Sequence, residues 1–255
     1  MFSFCIVLIY SYLCTMNWKV VHIEETSSTN RWLWERTHST TPPLPDPFCV
    51  WADYQTAGRG QGTNTWESEG GKNLLFSLLL HPHHVPTTQQ FHISEAVAVA
   101  LCETLEHYIS QQVEVKWPND IYVDGRKICG ILIENTLHGH LLKTCIIGIG
   151  LNVNQQEFLS DAPNPVSLYQ LTGHETDREE LLQAFLHTFD TVLNRKTTSL
   201  DYRNRLYRRT GLHEYKDQTG SFRAEIVNVL PDGHLVLRDE EGQERHYGFK
   251  EVQFV

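Results

Sequence analysis

The chain has 255 residues, of which 40% are hydrophobic and 20% are charged, a composition typical of a globular protein with room for one large domain and a small one. Its formal net charge of -10 argues against a broad DNA-binding surface, because phosphate backbones are bound by clustered Lys and Arg. Six scattered cysteines without a Cys-x-x-Cys pair favour reduced thiols in a cytoplasmic protein, with neither a disulfide framework nor a zinc site.

Residues 1–16 are mostly apolar, but a membrane span needs about 20 such residues, and the positive start of a secretory signal is missing. We therefore expect no membrane association. Met16 directly precedes a sequence that predicts the first strand, so we interpret residues 1–16 as a non-native or disordered extension ahead of a true start at Met16. N-terminal mass spectrometry of the native protein tests this hypothesis, and a peptide from residues 1–15 would contradict it.

The first half of the chain predicts three strands and two helices. The apolar run at 73–80 is typical of a strand covered on both faces, and apolar residues at helical spacing follow it. The segment 57–72, here called the Gly-rich loop, has no periodicity, and long loops in compact domains are usually functional. The expected strands are 18–27, 48–54 and 73–80, and the expected helices are 29–37 and 89–110.

The second half predicts an antiparallel meander, two helices and a run of short strands. Asp124-Gly125 and the turn at 137–140 are hairpin signals that link strands at 120–123, 127–135 and 141–154. Amphipathic helices are expected at 177–196 and 199–209, and short strands from about residue 215 predict a small β-barrel. The fold class is therefore α+β, a mixed, largely antiparallel sheet packed on helices, with domains at 17–213 and 214–255.

Two segments carry unusual chemistry. Lys116-Trp117-Pro118-Asn119-Asp120 places a lysine at the end of the apolar strand 113–115, where it would be a fixed cation in a partly dry site, or a structural cation paired with Glu114 or Asp120. In Gly58-Arg59-Gly60-Gln61-Gly62, glycines allow close backbone approach to an anion and the arginine supplies charge, unless it is a solvated loop residue. A dinucleotide fingerprint is disfavoured because no amphipathic helix follows Gly62.

These segments, with Ser27-Ser28-Thr29-Asn30 before them and Gly148-Ile149-Gly150-Leu151-Asn152 after them, resemble the biotin protein ligases. The resemblance covers roughly residues 18–255, and four motifs occur in the family's order. It implies a class II synthetase-like catalytic domain, a C-terminal SH3-like barrel, and a monofunctional enzyme without the N-terminal helix-turn-helix domain found in some relatives.

By that resemblance, Lys116 and Arg59 are the catalytic cations, with Lys116 contacting the biotin carboxylate and the adjacent phosphate. A lysine ammonium there would offset the repulsion between two anions and stabilise developing charge. The ureido group of biotin would contact the Ser/Thr/Asn segment at the start of a helix, a segment that would also serve as an ordinary N-cap. The bicyclic ring of biotin would pack against glycine and isoleucine. The implied biotin contacts are Ser28, Thr29, Asn30, Gln55, Gly58, Arg59, Gly60, Gln61, Lys116, Gly130 and Ile131.

The resemblance also implies a nucleotide site. Trp66 would stack on the adenine ring, with ordinary core packing as the alternative. Lys127 and Asn152 would contact the nucleotide, with stabilisation of a turn as the alternative for both. The implied nucleotide contacts are Arg59, Gln61, Trp66, Asn119, Lys127 and Asn152. The loop departs from the family pattern, because Gln61, Gly62 and Asn64 stand where basic residues often occur, so pyrophosphate contacts would be weaker or come from Lys72 or Lys127.

The implied reaction is ATP-dependent ligation of biotin to a lysine of a biotin carboxyl carrier protein or domain through biotinyl-5'-adenylate, with a homodimer as one option. In that arrangement the strand at 141–154 would be an available sheet edge. No protein metal site is expected, because the histidines lack a third ligand at usable spacing, and Mg²⁺ would arrive with ATP. Lipoate or octanoate ligation, and a biotin-sensing or binding protein without turnover, stay open as alternatives.

Overall fold

The computed structural model describes residues 16–39, 42–159 and 164–255. Residues 1–15 of the expected extension lie outside this part of the chain. Met16 lies inside it, and its backbone N–H donates to Asp190 Oδ2 at 2.9 Å, while the Trp18 indole donates to Asp190 Oδ1 at 2.8 Å. The start of the first domain is therefore held to a helix more than 170 residues later in the chain.

A seven-stranded mixed sheet forms the larger part of the molecule. Its order is β1-β2-β3-β7-β6-β5-β4, with β1 and β2 parallel and every other pair antiparallel. This confirms the expected mixed, largely antiparallel sheet. The strands are β1 (Lys19–Thr26), β2 (Phe48–Gln55), β3 (Leu74–Leu80), β4 (Val113–Lys116), β5 (Asp120–Val123), β6 (Arg126–His138) and β7 (Leu141–Leu151).

Helices cover both faces of this sheet. Residues of β3 are all buried, with every second one from Leu74 to Leu80 in a large core cluster and Leu79 in a small cluster under α1, as expected of a strand with two covered faces. The helices are α1 (Thr29–Ser39), α2 (Phe91–Leu105), α3 (Leu168–Thr172), α4 (Arg178–Leu193) and α5 (Thr198–Asn204), with a 3₁₀ turn at Thr87–Gln89. No helix in the described residues is long and apolar enough to cross a membrane.

Several expected boundaries were wrong. Helix α2 ends at Leu105 rather than 110, because the Tyr108 N–H bonds back to the Leu105 carbonyl at 2.8 Å in a turn that returns Ile109 to the core. Helices α4 and α5 are shorter than expected, and α3 was not predicted. The strand expected at 141–154 ends at Leu151 and pairs with β3 and β6 on its two sides, so it is an interior strand and not a free edge.

The C-terminal part is a five-stranded antiparallel sheet rather than the expected closed barrel. Its order is β11-β10-β9-β8-β12, and its two outermost strands do not pair in the described structure. The strands are β8 (His213–Asp217), β9 (Gly220–Val229), β10 (Leu235–Asp239), β11 (Glu244–Tyr247) and β12 (Gln253–Phe254). The Trp117 indole donates to the Gly233 carbonyl at 3.0 Å and fastens this sheet to the larger one.

Candidate active site

A cavity of about 1240 Å³ lies between the Gly-rich loop, the face of the large sheet that carries α1, and the turn between β11 and β12. All but one of the predicted site residues line it, although they lie up to 124 positions apart in the sequence. These are Ser28, Thr29, Asn30, Gln55, Arg59, Gly60, Gln61, Trp66, Lys116, Asn119, Lys127, Gly130, Ile131 and Asn152.

Gly58 is the exception among the predicted biotin contacts. It does not line the cavity, and a Cβ at this position would lie 2.6 Å from the Trp66 carbonyl oxygen. The Gly58 carbonyl accepts from the Trp66 N–H at 3.0 Å, and the Gly60 N–H donates to Asn64 at 2.8 Å. Gly58 therefore allows the two arms of the loop to approach each other, and its role as a direct biotin contact stays a prediction.

One end of the cavity, here called the buried polar end, is built by Ser28, Thr29, Asn30, Gln55 and Ser77. Thr29 and Asn30 are 3% and 2% exposed, and the Ser77 hydroxyl lies 2.7 Å from Thr29 Oγ1 and 2.6 Å from Asn30 Oδ1. Gln55 Oε1 accepts from the Thr29 N–H at 2.7 Å. The Gln55 amide NH₂ has no acceptor among the described residues, so it is a donor available to a ligand.

Asn30 continues this network into the sheet. Its Nδ2 donates to the Leu132 carbonyl at 3.2 Å and to Glu134 Oε2 at 2.8 Å. A side chain at Gly148 would collide with the Asn30 amide, so the bare backbone of β7 makes room for it. Because buried polar groups without partners are costly, this mutual satisfaction holds the end of the cavity in one arrangement.

Two further glycines form the floor under Trp66. A Cβ at Gly150 would lie 2.5 Å from the indole Cε2, and a Cβ at Gly130 would lie 2.8 Å from its Cζ3. Gly130 and Gly150 are cross-strand partners on β6 and β7, so the ring lies flat over bare backbone. The sequence signal for this side-chain-free surface was Gly148-Ile149-Gly150 in β7, because residues two apart in a strand lie on the same face.

Lys116 ends strand β4 and projects toward the second sheet. Its Nζ donates to the Tyr122 hydroxyl at 3.0 Å and lies 4.9 Å from the centre of that ring and 5.6 Å from the ring of Phe254. Within the described residues it forms no ion pair, so pairing with Glu114 or Asp120 is not observed. Burial lowers the pKa of Lys116 below its ordinary value, and Asp120 partly opposes this shift.

Tyr122 was not predicted as a site residue. Burial raises the pKa of Tyr122 to about 12, which keeps the phenol neutral and able to accept the hydrogen bond from Lys116. The ammonium is therefore partly desolvated and oriented, and no carboxylate of the described residues pairs with it. This is the electrostatic state that a cation needs in order to stabilise a developing negative charge.

The other end of the cavity, here called the loop end, contains Arg59, Trp66, Lys127 and Asn152. Arg59 lies 3.1 Å from Glu134 in an ion pair and is 48% exposed, and Lys127 lies 2.7 Å from Asp120 and 5.5 Å from the Trp66 ring centre. Both cations therefore have carboxylate partners that a phosphate would have to displace or share.

Lys72, expected as a source of phosphate contacts, does not line the cavity. It lies 3.2 Å from Glu175 in an ion pair, so of the two lysines considered for pyrophosphate contacts only Lys127 lines the cavity.

Two buried polar atoms at the loop end lack partners in the described structure. These are the Trp66 Nε1 donor and the Asn152 Oδ1 acceptor, while Asn152 Nδ2 donates to the Val166 carbonyl at 3.0 Å. Asn119 differs, because its Nδ2 donates to the Ile131 carbonyl at 2.7 Å and ties the Lys116 segment to β6. Unpaired buried groups of this kind are suited to a ligand that completes them.

The second sheet contributes lining residues that the sequence did not indicate. Lys250, Val252, Gln253 and Phe254 reach the cavity although they lie more than 130 positions after Lys116. Among the described residues there is no group of three or more His, Cys, Asp and Glu side chains suited to a metal ion.

Residues 22–152 match the family model described as the biotin/lipoate A/B protein ligase family. The chain belongs to this family. It is 30% identical over 250 residues to the bifunctional ligase/repressor BirA of Bacillus spizizenii, covering 91% of this chain and 73% of that protein. It is 34% identical over 180 residues to BirA of Bacillus subtilis, covering 69% of this chain and 54% of that protein.

A solved structure agrees with this assignment over nearly the whole length. The biotin protein ligase from Aquifex aeolicus, in complex with biotin and ATP, has a TM-score of 0.75 and 25% identity, covering 92% of this chain and 99% of that one. The expected biotin/lipoate ligase family and the α+β architecture are confirmed. The individual roles of the family's site residues in this chain stay predictions.

Proposed function

We propose that this protein is a biotin protein ligase, an enzyme that uses ATP to attach biotin to a lysine of a biotin carboxyl carrier protein or domain. The observation that carries the proposal is a single cavity with a buried polar end beside a desolvated lysine and an aromatic loop end. Such a cavity suits a neutral polar head group at the buried polar end, a carboxylate beside the lysine and a nucleotide at the loop end. The similarity to the Aquifex aeolicus biotin protein ligase, whose structure was solved in complex with biotin and ATP, supports it.

The buried polar end favours biotin over lipoate. A ureido group offers two donors and a strong acceptor, which match the Gln55 amide donor and the hydroxyls of Ser28 and Thr29. A dithiolane ring offers no comparable groups and would leave buried polar atoms unpaired. Sites built to hydrogen-bond a substrate reject analogues that lack the matching groups.

The first half-reaction is adenylation. A carboxylate oxygen of biotin attacks the α-phosphorus of ATP, the bond from that phosphorus to the bridging oxygen of the β-phosphate breaks, and pyrophosphate leaves with the electron pair. Lys116 reduces the repulsion between the two anions and stabilises the charge that develops between them. Magnesium arrives with ATP as part of the substrate and neutralises phosphate charge.

The second half-reaction transfers the biotinyl group. The neutral ε-amine of the carrier lysine attacks the carbonyl carbon of biotinyl-5'-adenylate, an amide bond forms, and AMP leaves while the amine loses its proton. No protein nucleophile takes part, so catalysis comes from positioning and charge. Trp66 stacks on the adenine, and Lys127 and Asn152 contact the nucleotide at the loop end.

The Gly-rich loop covers the reacting atoms. Its Arg59 is held by Glu134, which also accepts from Asn30, so the loop is linked to the buried polar end through one carboxylate. When biotin and ATP bind, Arg59 turns its charge toward the anionic centre. Exclusion of water by the loop then protects the adenylate from hydrolysis.

The proposed setting is the cytoplasm, with a carboxylase carrier domain as the macromolecular substrate. The acidic balance of the chain favours a role as a ligase rather than as a DNA-binding repressor. A homodimer would need a surface other than β7, because that strand is paired on both sides.

The test is acid-dependent exchange of labelled pyrophosphate into ATP by the purified protein, with biotin, with lipoate and without added acid. We expect exchange with biotin only. Exchange with lipoate alone would assign the protein to the other branch of the family, and no exchange with either acid would favour a binding protein without turnover.

A further inference from the structure

The positive charges of the cavity divide into two classes. Arg59 and Lys127 are each paired with a carboxylate, whereas Lys116 and Lys250 form no ion pair within the described part of the chain. The phosphates of ATP bring several negative charges, and compensation is most effective from cations that are not already neutralised. Lys250 is therefore the second cation in the cavity whose charge is available to a ligand.

Lys250 is held at the cavity by a tight turn between β11 and β12. Its backbone has a φ of 69°, a left-handed conformation that is uncommon for a residue with a side chain. Glu251 stabilises the turn, since its carboxylate accepts from the Gly248 N–H at 2.6 Å and its own N–H donates to the Gly248 carbonyl at 3.2 Å. The turn presents the lysine to the opposite wall of the cavity.

The Lys250 ammonium lies directly over Gly62 of the Gly-rich loop. A Cβ built on Gly62 would collide with the Lys250 Nζ, and Gly62 itself has a φ of 69°. The adjacent loop side chains Gln61, Thr63 and Asn64 also line the cavity and are uncharged. The positive charge at this part of the loop therefore comes from the second sheet rather than from the loop.

An aromatic contact lies directly beside both lysines that form no ion pair in the described part of the chain. Phe249, directly before Lys250, lies with its ring centre 5.6 Å from that of Trp117, directly after Lys116. The Trp117 indole also donates to the Gly233 carbonyl of the second sheet. Each lysine is next in sequence to one of these packed aromatic residues, so the contact anchors the backbone from which each lysine side chain extends.

We propose that Lys250 is a nucleotide-binding residue that contacts the phosphates leaving as pyrophosphate, so that the second sheet completes the adenylation site. This inference rests on the proposed function and deepens it. Lys116 serves the carboxylate and the α-phosphorus, and Lys250 serves the part of the phosphate chain that lies against the uncharged tip of the Gly-rich loop. Backbone N–H groups of a glycine-containing turn and an ammonium together form a suitable site for a phosphate.

The test compares the Michaelis constants of wild type, Lys250→Ala, Lys250→Arg and Lys216→Ala in biotin-dependent pyrophosphate exchange. Lys216 is an exposed lysine of the same sheet outside the cavity and serves as the matched control. For Lys250→Ala we expect the KM values for ATP and pyrophosphate to rise about tenfold, with the KM for biotin and the thermal midpoint unchanged. Lys250→Arg should recover most of the affinity, and the effect should shrink at high salt.

Three outcomes would overturn the assignment: an unchanged KM for ATP in Lys250→Ala, an equal rise in the KM for biotin, or the same defect in Lys216→Ala. Each of these requires an active wild type and leaves the proposed ligase function standing. A wild-type protein without biotin-dependent exchange would instead overturn the proposed function, and the Lys250 assignment with it.

Discussion

The two ends of the cavity differ in how the protein satisfies their polar groups. At the buried polar end, Thr29, Asn30 and Ser77 are nearly inaccessible and bond to one another, so the arrangement exists before any ligand arrives. At the loop end, Arg59 is half-exposed, and the Trp66 and Asn152 side chains each have a buried atom without a partner among the described residues. The first end is preorganised by the protein, and the second is to be completed by its ligand.

This difference matches the chemistry each end has to perform. Discrimination between small acids requires fixed donors and acceptors, because an adaptable pocket would accept several head groups. Nucleotide binding and release require a loop that can exchange ion pairs within the protein for contacts with phosphate. Lys116 lines the same cavity, and in the proposed function its charge would serve both substrates.

The largest expected effect is at Lys116. Lys116→Ala should lower the rate of biotin-dependent pyrophosphate exchange by a factor of about 10² to 10³, the range found when one electrostatic contact to a transition state is removed. The fold should survive, because the side chain contributes no ion pair within the described structure.

Exchange kinetics and circular dichroism check this prediction, with Lys143→Ala, an exposed lysine of β7 outside the cavity, as the control. Near-normal exchange in folded Lys116→Ala would remove the central role of this lysine.

A matched pair of substitutions on β7 separates the two ends. Gly148→Ala places a methyl group against Asn30 and should raise the KM for biotin about tenfold, with a smaller change for ATP. Gly150→Ala places the same group against the Trp66 ring and should raise the KM for ATP about tenfold, with a smaller change for biotin.

Steady-state kinetics with each substrate varied in turn measure both effects. Gly70→Ala is the control, since an added Cβ there meets nothing closer than 3.8 Å. If both variants changed the two KM values by the same factor, the two ends would not be separable.

Ser77→Ala tests whether the buried polar end is held by its own hydrogen bonds. The variant leaves Thr29 Oγ1 and Asn30 Oδ1 without their shared partner and should lower the free energy of unfolding by about 1–3 kcal/mol. Urea denaturation followed by tryptophan fluorescence measures this loss. An unchanged midpoint would show that the network does not stabilise the fold.

The smallest expected effect is a shift in pH dependence. Lys116 must be protonated to stabilise negative charge, and burial lowers its pKa below 10.5, so exchange should fall as the pH rises through that lowered pKa. Tyr122→Phe removes a neutral acceptor of the ammonium hydrogen bond and should move the alkaline limb to lower pH.

A pH profile of kcat for wild type and Tyr122→Phe measures the pH at which activity falls on the alkaline side. A shift to higher pH in the variant would contradict the proposed hydrogen bond.

The local elements were largely predictable from the sequence. The Asp124-Gly125 turn has φ values of 50° and 72°, as the dipeptide indicated, and the apolar run at 73–80 corresponds to the fully buried β3. All the site residues that the resemblance implied, except Gly58, line the cavity, because short motifs keep their spacing. Periodicity and motif spacing are short-range properties of the chain, and a sequence displays them directly.

What the sequence could not indicate depends on partners far along the chain. Strand β7 has the alternation of a strand whether it lies inside a sheet or at its edge, and pairing with β3 decides that it is internal. The second sheet has the short strands and turns of a barrel, but closure depends on whether its outermost strands meet.

The sequence by itself therefore determined the family, the α+β class, the Gly-rich loop and Lys116 at the end of a strand. Only the tertiary structure decided that Arg59 pairs with Glu134, that Lys116 forms no ion pair with a carboxylate of the described residues, and that Lys250 reaches the cavity from the second sheet. The physical reason is that charge pairing and desolvation depend on distances between side chains. Packing of the two sheets sets those distances, and a one-dimensional pattern does not record them.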